Sequence, residues 1–137
     1  VIRDVDAAPY CTPAQLAVPM MLKWLLVFED PNSETLWLGK GIPRDWLLDG
    51  KTVSVLHAPT RWGGVDYDIE SRGRLIRARV SLPEGGIAAV TKLRLRAAGP
   101  LKSVTVNGKP WRSFDPTEET ITLPAGLGGA LDLIARY

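Results

Sequence analysis

Between Leu16 and Phe28 the chain reads LAVPMMLKWLLVF, in which every residue except Pro19 and Lys23 is apolar. A surface helix shows an apolar stripe opposite a polar one, whereas a helix apolar all round has to be covered all round. Thr12-Pro13-Ala14-Gln15 just before the run is a helix-start signature: Thr12 caps, Pro13 suits the first helical position, and Gln15 reaches back as in a capping box. Pro19 is expected to kink this helix, or to restart it as a shorter one from Pro19 to Glu29. The run is too short and too interrupted for a membrane span, which needs about 20 apolar residues. One β-layer covers only one side of such a helix. The rest has to be covered by a neighbouring domain, by the chain's own strands and N-terminal segment, or by a second copy in a homodimer. A neighbouring domain is the expectation, with Leu16, Met20, Trp24 and Phe28 as contact residues. The chain opens on Val1, not Met, which points to processing or to a piece of a longer protein, and the helix favours the latter.

After the turn cluster Glu29-Asp30-Pro31-Asn32 the pattern changes to period two. Candidate strands are Thr35–Gly39, Thr52–His57, Val65–Ser71, Leu75–Leu82, Lys92–Ala97, Ser103–Asn107, Thr120–Leu123 and Ala130–Arg136. Short strands at near-regular spacing, punctuated by Gly, Pro and Asn-Gly, predict an antiparallel β-sandwich. The expected fold is therefore mainly β, about eight strands preceded by one long apolar N-terminal helix. Residues 1–30 form the helical segment and residues 31–137 the sandwich.

Several function classes have little to build on. A net charge of +2 with no run of basic residues gives no concentrated face for nucleic acid. Cys11 and His57 are each the only residue of their kind, so neither an internal disulfide nor a paired-ligand metal motif is available, and no cofactor is implied. No nucleophile motif and no thiol–His pair appears, and no catalytic residue is assigned. The opening VIRDVDAAPY is charged and lacks the apolar segment of a signal peptide.

Two hairpins can be worked out. A turn at Arg72-Gly73 sets Ile69 opposite Ile76, Tyr67 opposite Ala78 and Val65 opposite Val80 on an apolar inner face. The same register places Asp68 against Arg77 and Asp66 against Arg79 outside, each pair worth roughly 0.2–1 kcal/mol. Asp66-x-Asp68-x-Glu70 is accordingly read as a solvated charge ladder rather than as a calcium site or an acid–base pair. Lys92, Arg94 and Arg96 alternate with Leu93 and Leu95 in the same style and form a basic outer face. In Val104-Thr105-Val106-Asn107-Gly108-Lys109-Pro110-Trp111, Asn-Gly suits a type I′ turn and places Trp111 opposite Val104, a structural position.

The order of elements is similar to that of a known family. A greasy helix ending Trp24-Leu25-Leu26-Val27-Phe28-Glu29-Asp30 is followed by Leu36-Trp37-Leu38-Gly39-Lys40-Gly41-Ile42-Pro43-Arg44-Asp45-Trp46-Leu47, a strand opening Gly50-Lys51-Thr52-Val53, and Val104-Thr105-Val106-Asn107-Gly108 later. This resembles the C-terminal β-sandwich of large glycoside hydrolases whose catalytic domain is an (α/α)6 barrel, over most of Leu16–Tyr137. The resemblance implies a non-catalytic accessory domain packed against a preceding catalytic barrel, whose own residues would carry the chemistry. It also implies a role for Trp46: Pro43 starts a single helical turn, Asp49-Gly50 ends it, and the indole beneath seals the junction with Trp24 or Trp37.

The alternative is an autonomous carbohydrate-binding module. Ala58-Pro59-Thr60-Arg61-Trp62-Gly63-Gly64 joins two strands, and a loop tryptophan beside an arginine suits a pyranose face and its hydroxyls. Tyr67 is the candidate second ring of that site. Against it stands the expectation that Trp62 plugs the end of the sandwich. His57 is read as a strand-end residue.

Overall fold

The computed structural model describes residues 12–137. The opening segment VIRDVDAAPY, Cys11 and the capping side chain of Thr12 lie outside what is described. In chain order the elements are helix α1 (Thr12–Leu26) and strands β1 (Val27–Glu29), β2 (Thr35–Leu38), β3 (Thr52–Thr60), β4 (Gly63–Arg72), β5 (Leu75–Leu82), β6 (Val90–Arg94), β7 (Ser103–Val106), β8 (Lys109–Trp111), β9 (Phe114–Asp115), β10 (Thr120–Leu123) and β11 (Gly129–Arg136). A single 3-10 turn, Arg44–Leu47, separates β2 from β3. The protein is mainly β, and its described residues form eleven strands in two sheets and one helix.

The long apolar helix expected to run to Phe28 does not form. Helix α1 has 15 residues, with Pro19 inside it, and no helix among the described residues is long and apolar enough to cross a membrane. It stops because Val27 turns inward and is buried while Phe28 turns outward opposite Trp37, the alternation of a strand. The last helical carbonyls find partners in the next loop. Gly41 N donates to Leu25 O (3.0 Å), and Gly39 N donates to Leu26 O (2.8 Å). The Tyr67 hydroxyl also donates to Leu26 O, at 2.9 Å. An ideal Cβ on Gly41 would fall on the Leu25 side chain, so glycine lets the loop lie this close to the helix without displacing it. Segment 27–29, grouped by sequence with the helix, thus belongs to a sheet.

One sheet has the order β1-β2-β6-β10-β9 and the other β3-β4-β5-β11-β7-β8. Eight strands understates the count because β1, β8 and β9 are two or three residues long, too short to show a period. Pairing is antiparallel except that β2 runs parallel to β6. That exception follows from the path: the chain leaves β2, builds the β3–β4–β5 meander of the other sheet, and only then returns as β6. Inward residues of both sheets, among them Leu36, Leu93 and Ile121 from one and Tyr67, Ile69 and Leu133 from the other, form one buried core.

The β4–β5 hairpin keeps its predicted faces and changes its pairing. Arg72 faces Leu75, so Gly73-Arg74 makes the turn, with Gly73 at φ 59°. Every partner moves by two: Ile69 faces Ala78, Tyr67 faces Val80, and Asp68 faces Arg79. Period two decides which side of a strand a residue takes but leaves even-numbered slips open. The β7–β8 hairpin has the predicted register, Val104 opposite Trp111, with Asn107 at φ 49° and Gly108 at φ 75°. Trp111 Nε1 donates to Thr122 O (3.0 Å), tying β8 to the opposite sheet.

Candidate interaction surface

The outer face of the six-stranded sheet neutralises itself. Ser54, Asp68, Arg79 and Asp132 are successive partners across β3, β4, β5 and β11. Ser54 Oγ donates to Asp68 Oδ1 (2.7 Å), Arg79 pairs with Asp68, and Arg77 pairs bidentately with Asp132 (2.8 and 3.0 Å). The ladder reading of the acidic strand stands, with shifted partners. At the edge, Asp66 accepts from His57 N (2.7 Å) and holds a bulge between Val55 and Ala58, with His57 at φ 54°. His57 therefore sits at a bulge inside β3 and not at its end. Among the described residues no cluster of His, Cys, Asp or Glu could hold a metal ion.

The Ser54 hydroxyl first, and Arg79 second, hold the Asp68 carboxyl below its ordinary range. A carboxyl depressed in the folded state stabilises above its unfolded pKa and loses that contribution as pH falls through the folded one. The stability gap between the wild type and Asp68→Asn is therefore expected to be full at neutral pH. It should close as pH drops below about 4, read from melting temperatures across a pH series.

Of the predicted sugar-binding residues, Arg61 and Trp62 lie together and Tyr67 lies apart from them. Tyr67 is 1% exposed, because its strand position points into the core, and it cannot offer a ring to a sugar. Its Tyr67→Phe variant should lose about 1 kcal/mol in chemical denaturation, the usual net worth of one hydrogen bond. Arg61 and Trp62 are the two turn residues between β3 and β4, and Trp62 is half-buried against the core. The Arg61 guanidinium lies over the Trp62 ring, 4.2 Å from its centroid. Arg61 N also donates to Glu29 Oε1 (2.8 Å). The pair is engaged with its own chain.

The predicted contact residues fare differently. Leu16 is 68% exposed, Met20 47% and Trp24 48%, and Val18, Met21 and Leu22 are exposed with them. Lys23 is the lone charge of α1 and reaches Glu29 at 3.9 Å. Trp46 is not sealed under its turn: it is 40% exposed, and its neighbour Leu47 is buried instead. The turn is held by Arg44, which pairs bidentately with Glu119 (2.6 and 2.8 Å) and donates to Ala97 O (2.9 Å).

Phe28 leads onto a second surface, where the basic face expected of Lys92, Arg94 and Arg96 meets aromatic rings that the sequence motifs did not place beside it. Phe28, Trp37, Lys92 and Thr122 are successive partners on the outer face of the five-stranded sheet. Lys40 Nζ lies 4.3 Å from the Phe28 centroid and 4.8 Å from that of Trp37, and Lys92 Nζ lies 5.0 Å from Trp37. Arg94 and Arg96 continue the row of cations, and Arg96 Nη2 donates to Lys40 O (3.0 Å). Burial, then repulsion by Arg94 and Arg44, lowers the pKa of Arg96. An open apolar groove lined by Met21, Trp24, Leu25, Phe28, Lys40 and Gly41 joins this face to α1. The available signal was the phase of Trp37 and Lys92, both out of step with buried leucines. No protein-family model and no curated protein matches the chain.

Proposed function

We propose that this chain is a non-catalytic accessory β-sandwich of a glycoside hydrolase, which docks on and supports a helical-barrel catalytic body. The observation that carries the docking part is the set of large apolar side chains exposed along α1. Six of them, Leu16, Val18, Met20, Met21, Leu22 and Trp24, lie within one helix. Isolated exposed leucines need no explanation, but a continuous apolar patch on a folded protein marks a contact surface. The glycosidase part comes from the resemblance of the helix, the Pro43–Trp46 turn and the Val104–Gly108 hairpin to those of such enzymes.

The reading is tested by expressing the complete reading frame beside the 137-residue chain and assaying both on a panel of aryl glycosides. Hydrolysis by the complete polypeptide and none by this chain is expected. Hydrolysis by this chain itself, or a reading frame with no helical segment before Val1, contradicts the proposal.

A further inference from the structure

We infer that the outer face of the five-stranded sheet, centred on Lys92 and Arg94, is a docking surface for a protein partner whose apolar contact patch is bordered by Asp or Glu side chains. The inference rests on the docking reading of α1 and specifies the chemistry of what docks there. Its basis is the contrast between the two sheets. On the six-stranded sheet three arginines of the outer face, Arg72, Arg77 and Arg79, pair with carboxylates of their own chain, and only Arg136 at the end of β11 has no such pair among the described residues. On the five-stranded sheet Lys40, Lys92, Arg94 and Arg96 are half-buried, yet among the described residues none forms a salt bridge. The Nε atoms of Arg94 and Arg96 are buried with no hydrogen-bond partner among the described residues. Charge withdrawn from water is costly unless it is paired, and among the described residues these cations lack the direct carboxylate partners that Arg72, Arg77 and Arg79 have. The two lysines rest on the Phe28 and Trp37 rings, which hold their ammonium groups in place without neutralising them.

The surroundings decide which carrier of anionic charge fits. The groove beside these cations has Met21, Leu25 and Phe28 in its lining, and it runs into the exposed side chains of α1. Aliphatic side chains at this density match the apolar centre of a protein interface, with the cations as its charged border. A glycan would need a free ring face, and Trp37 carries an ammonium group from each of two lysines. A second copy is disfavoured because a two-fold contact sets a patch against itself, and here cation would meet cation. Carboxylates on the partner complete the pairing.

The test is a selection from a random-sequence peptide display library against the immobilised 137-residue chain, followed by affinity measurements on the enriched peptides. Peptides combining Asp or Glu with Leu, Phe or Trp are expected. Their binding should weaken at least about tenfold in Lys92→Glu and in Arg94→Glu, the scale of losing one close interfacial charge pair. A measurement that needs no variant accompanies this: wild-type affinity should fall about tenfold as salt rises from about 0.05 to about 0.5 M. Peptides without acidic bias, lost in Trp24→Asp but unchanged in both charge variants, overturn the inference and leave docking on α1 intact. Failure to select any peptide that depends on Lys92 or Arg94 overturns the inference, while docking on α1 is judged by its protection in the complete polypeptide. Binding of polygalacturonate that depends on Lys92, or a homodimer that Lys92→Glu disrupts in sedimentation, assigns the face to a glycan or to a second copy and likewise overturns the inference.

Discussion

Replacing Gly86 by alanine is expected to lower the stability of the chain by about 3 kcal/mol or more, the sum of a left-handed backbone and an overpacked contact. Gly86 has φ 74°, and an ideal Cβ there would run into the carbonyl group of Gly126. The β5–β6 connection and the β10–β11 connection meet at this point backbone to backbone. Gly126 N donates to Ile87 O (2.7 Å), and a Cβ on Gly128 would collide with Pro83 O and Gly86. No side chain can rotate away, so the loops themselves must part. Gly85 is the control one residue earlier, since a Cβ there meets nothing within 4 Å. Gly85→Ala should change stability by less than about 1 kcal/mol, in either direction. Equilibrium denaturation of the two variants side by side checks the pair. Equal losses would show that the close approach of the loops is not what limits them.

The paired substitution Met21→Asp with Trp24→Asp should have opposite effects in two settings. In the isolated chain both residues are exposed and belong to no core cluster, so stability should stay within about 1 kcal/mol of the wild type. In the complete polypeptide the same pair removes a tryptophan and a methionine from the centre of the proposed contact. Affinity between the two bodies should fall by more than about 30-fold, corresponding to about 2 kcal/mol for loss of a hot-spot residue. Calorimetry reads this directly: a single coupled transition should separate into two. A comparable loss in the isolated chain would place these side chains in its own core instead.

The parts of the fold that could be read from sequence are those where local chemistry leaves one answer. Asn107-Gly108 demanded positive φ at both positions, and the hairpin register followed from it. The inner face of β4 followed from period two, which is also why Tyr67 is better understood as a core residue than as a sugar platform. Where the chemistry allowed neighbouring answers, the structure chose otherwise. Turns at Arg72-Gly73 and at Gly73-Arg74 preserve the same faces, and only the second is realised. In the 3-10 turn, Trp46 and Leu47 are adjacent apolar residues, and no helical or strand period says which one points inward. Val27–Glu29 continues an apolar run that reads as helix, and the switch to strand comes from pairing with β2, a partner several residues away. The surface on α1 was visible as an excess of apolar residues over what one sheet covers. The cationic face was visible only as alternation, because its meaning depends on carboxylates missing from β2 and β10, which are distant in sequence.

The central claim is that the apolar side of α1 is covered by another protein body when the protein works. Hydroxyl-radical oxidation of Met20, Met21 and Trp24, read by peptide mass spectrometry, compares the 137-residue chain with the polypeptide of the complete reading frame. All three side chains should oxidise readily in the isolated chain and be protected at least about tenfold in the complete polypeptide, as expected of residues at a desolvated interface centre. Equal oxidation in the two would contradict the account.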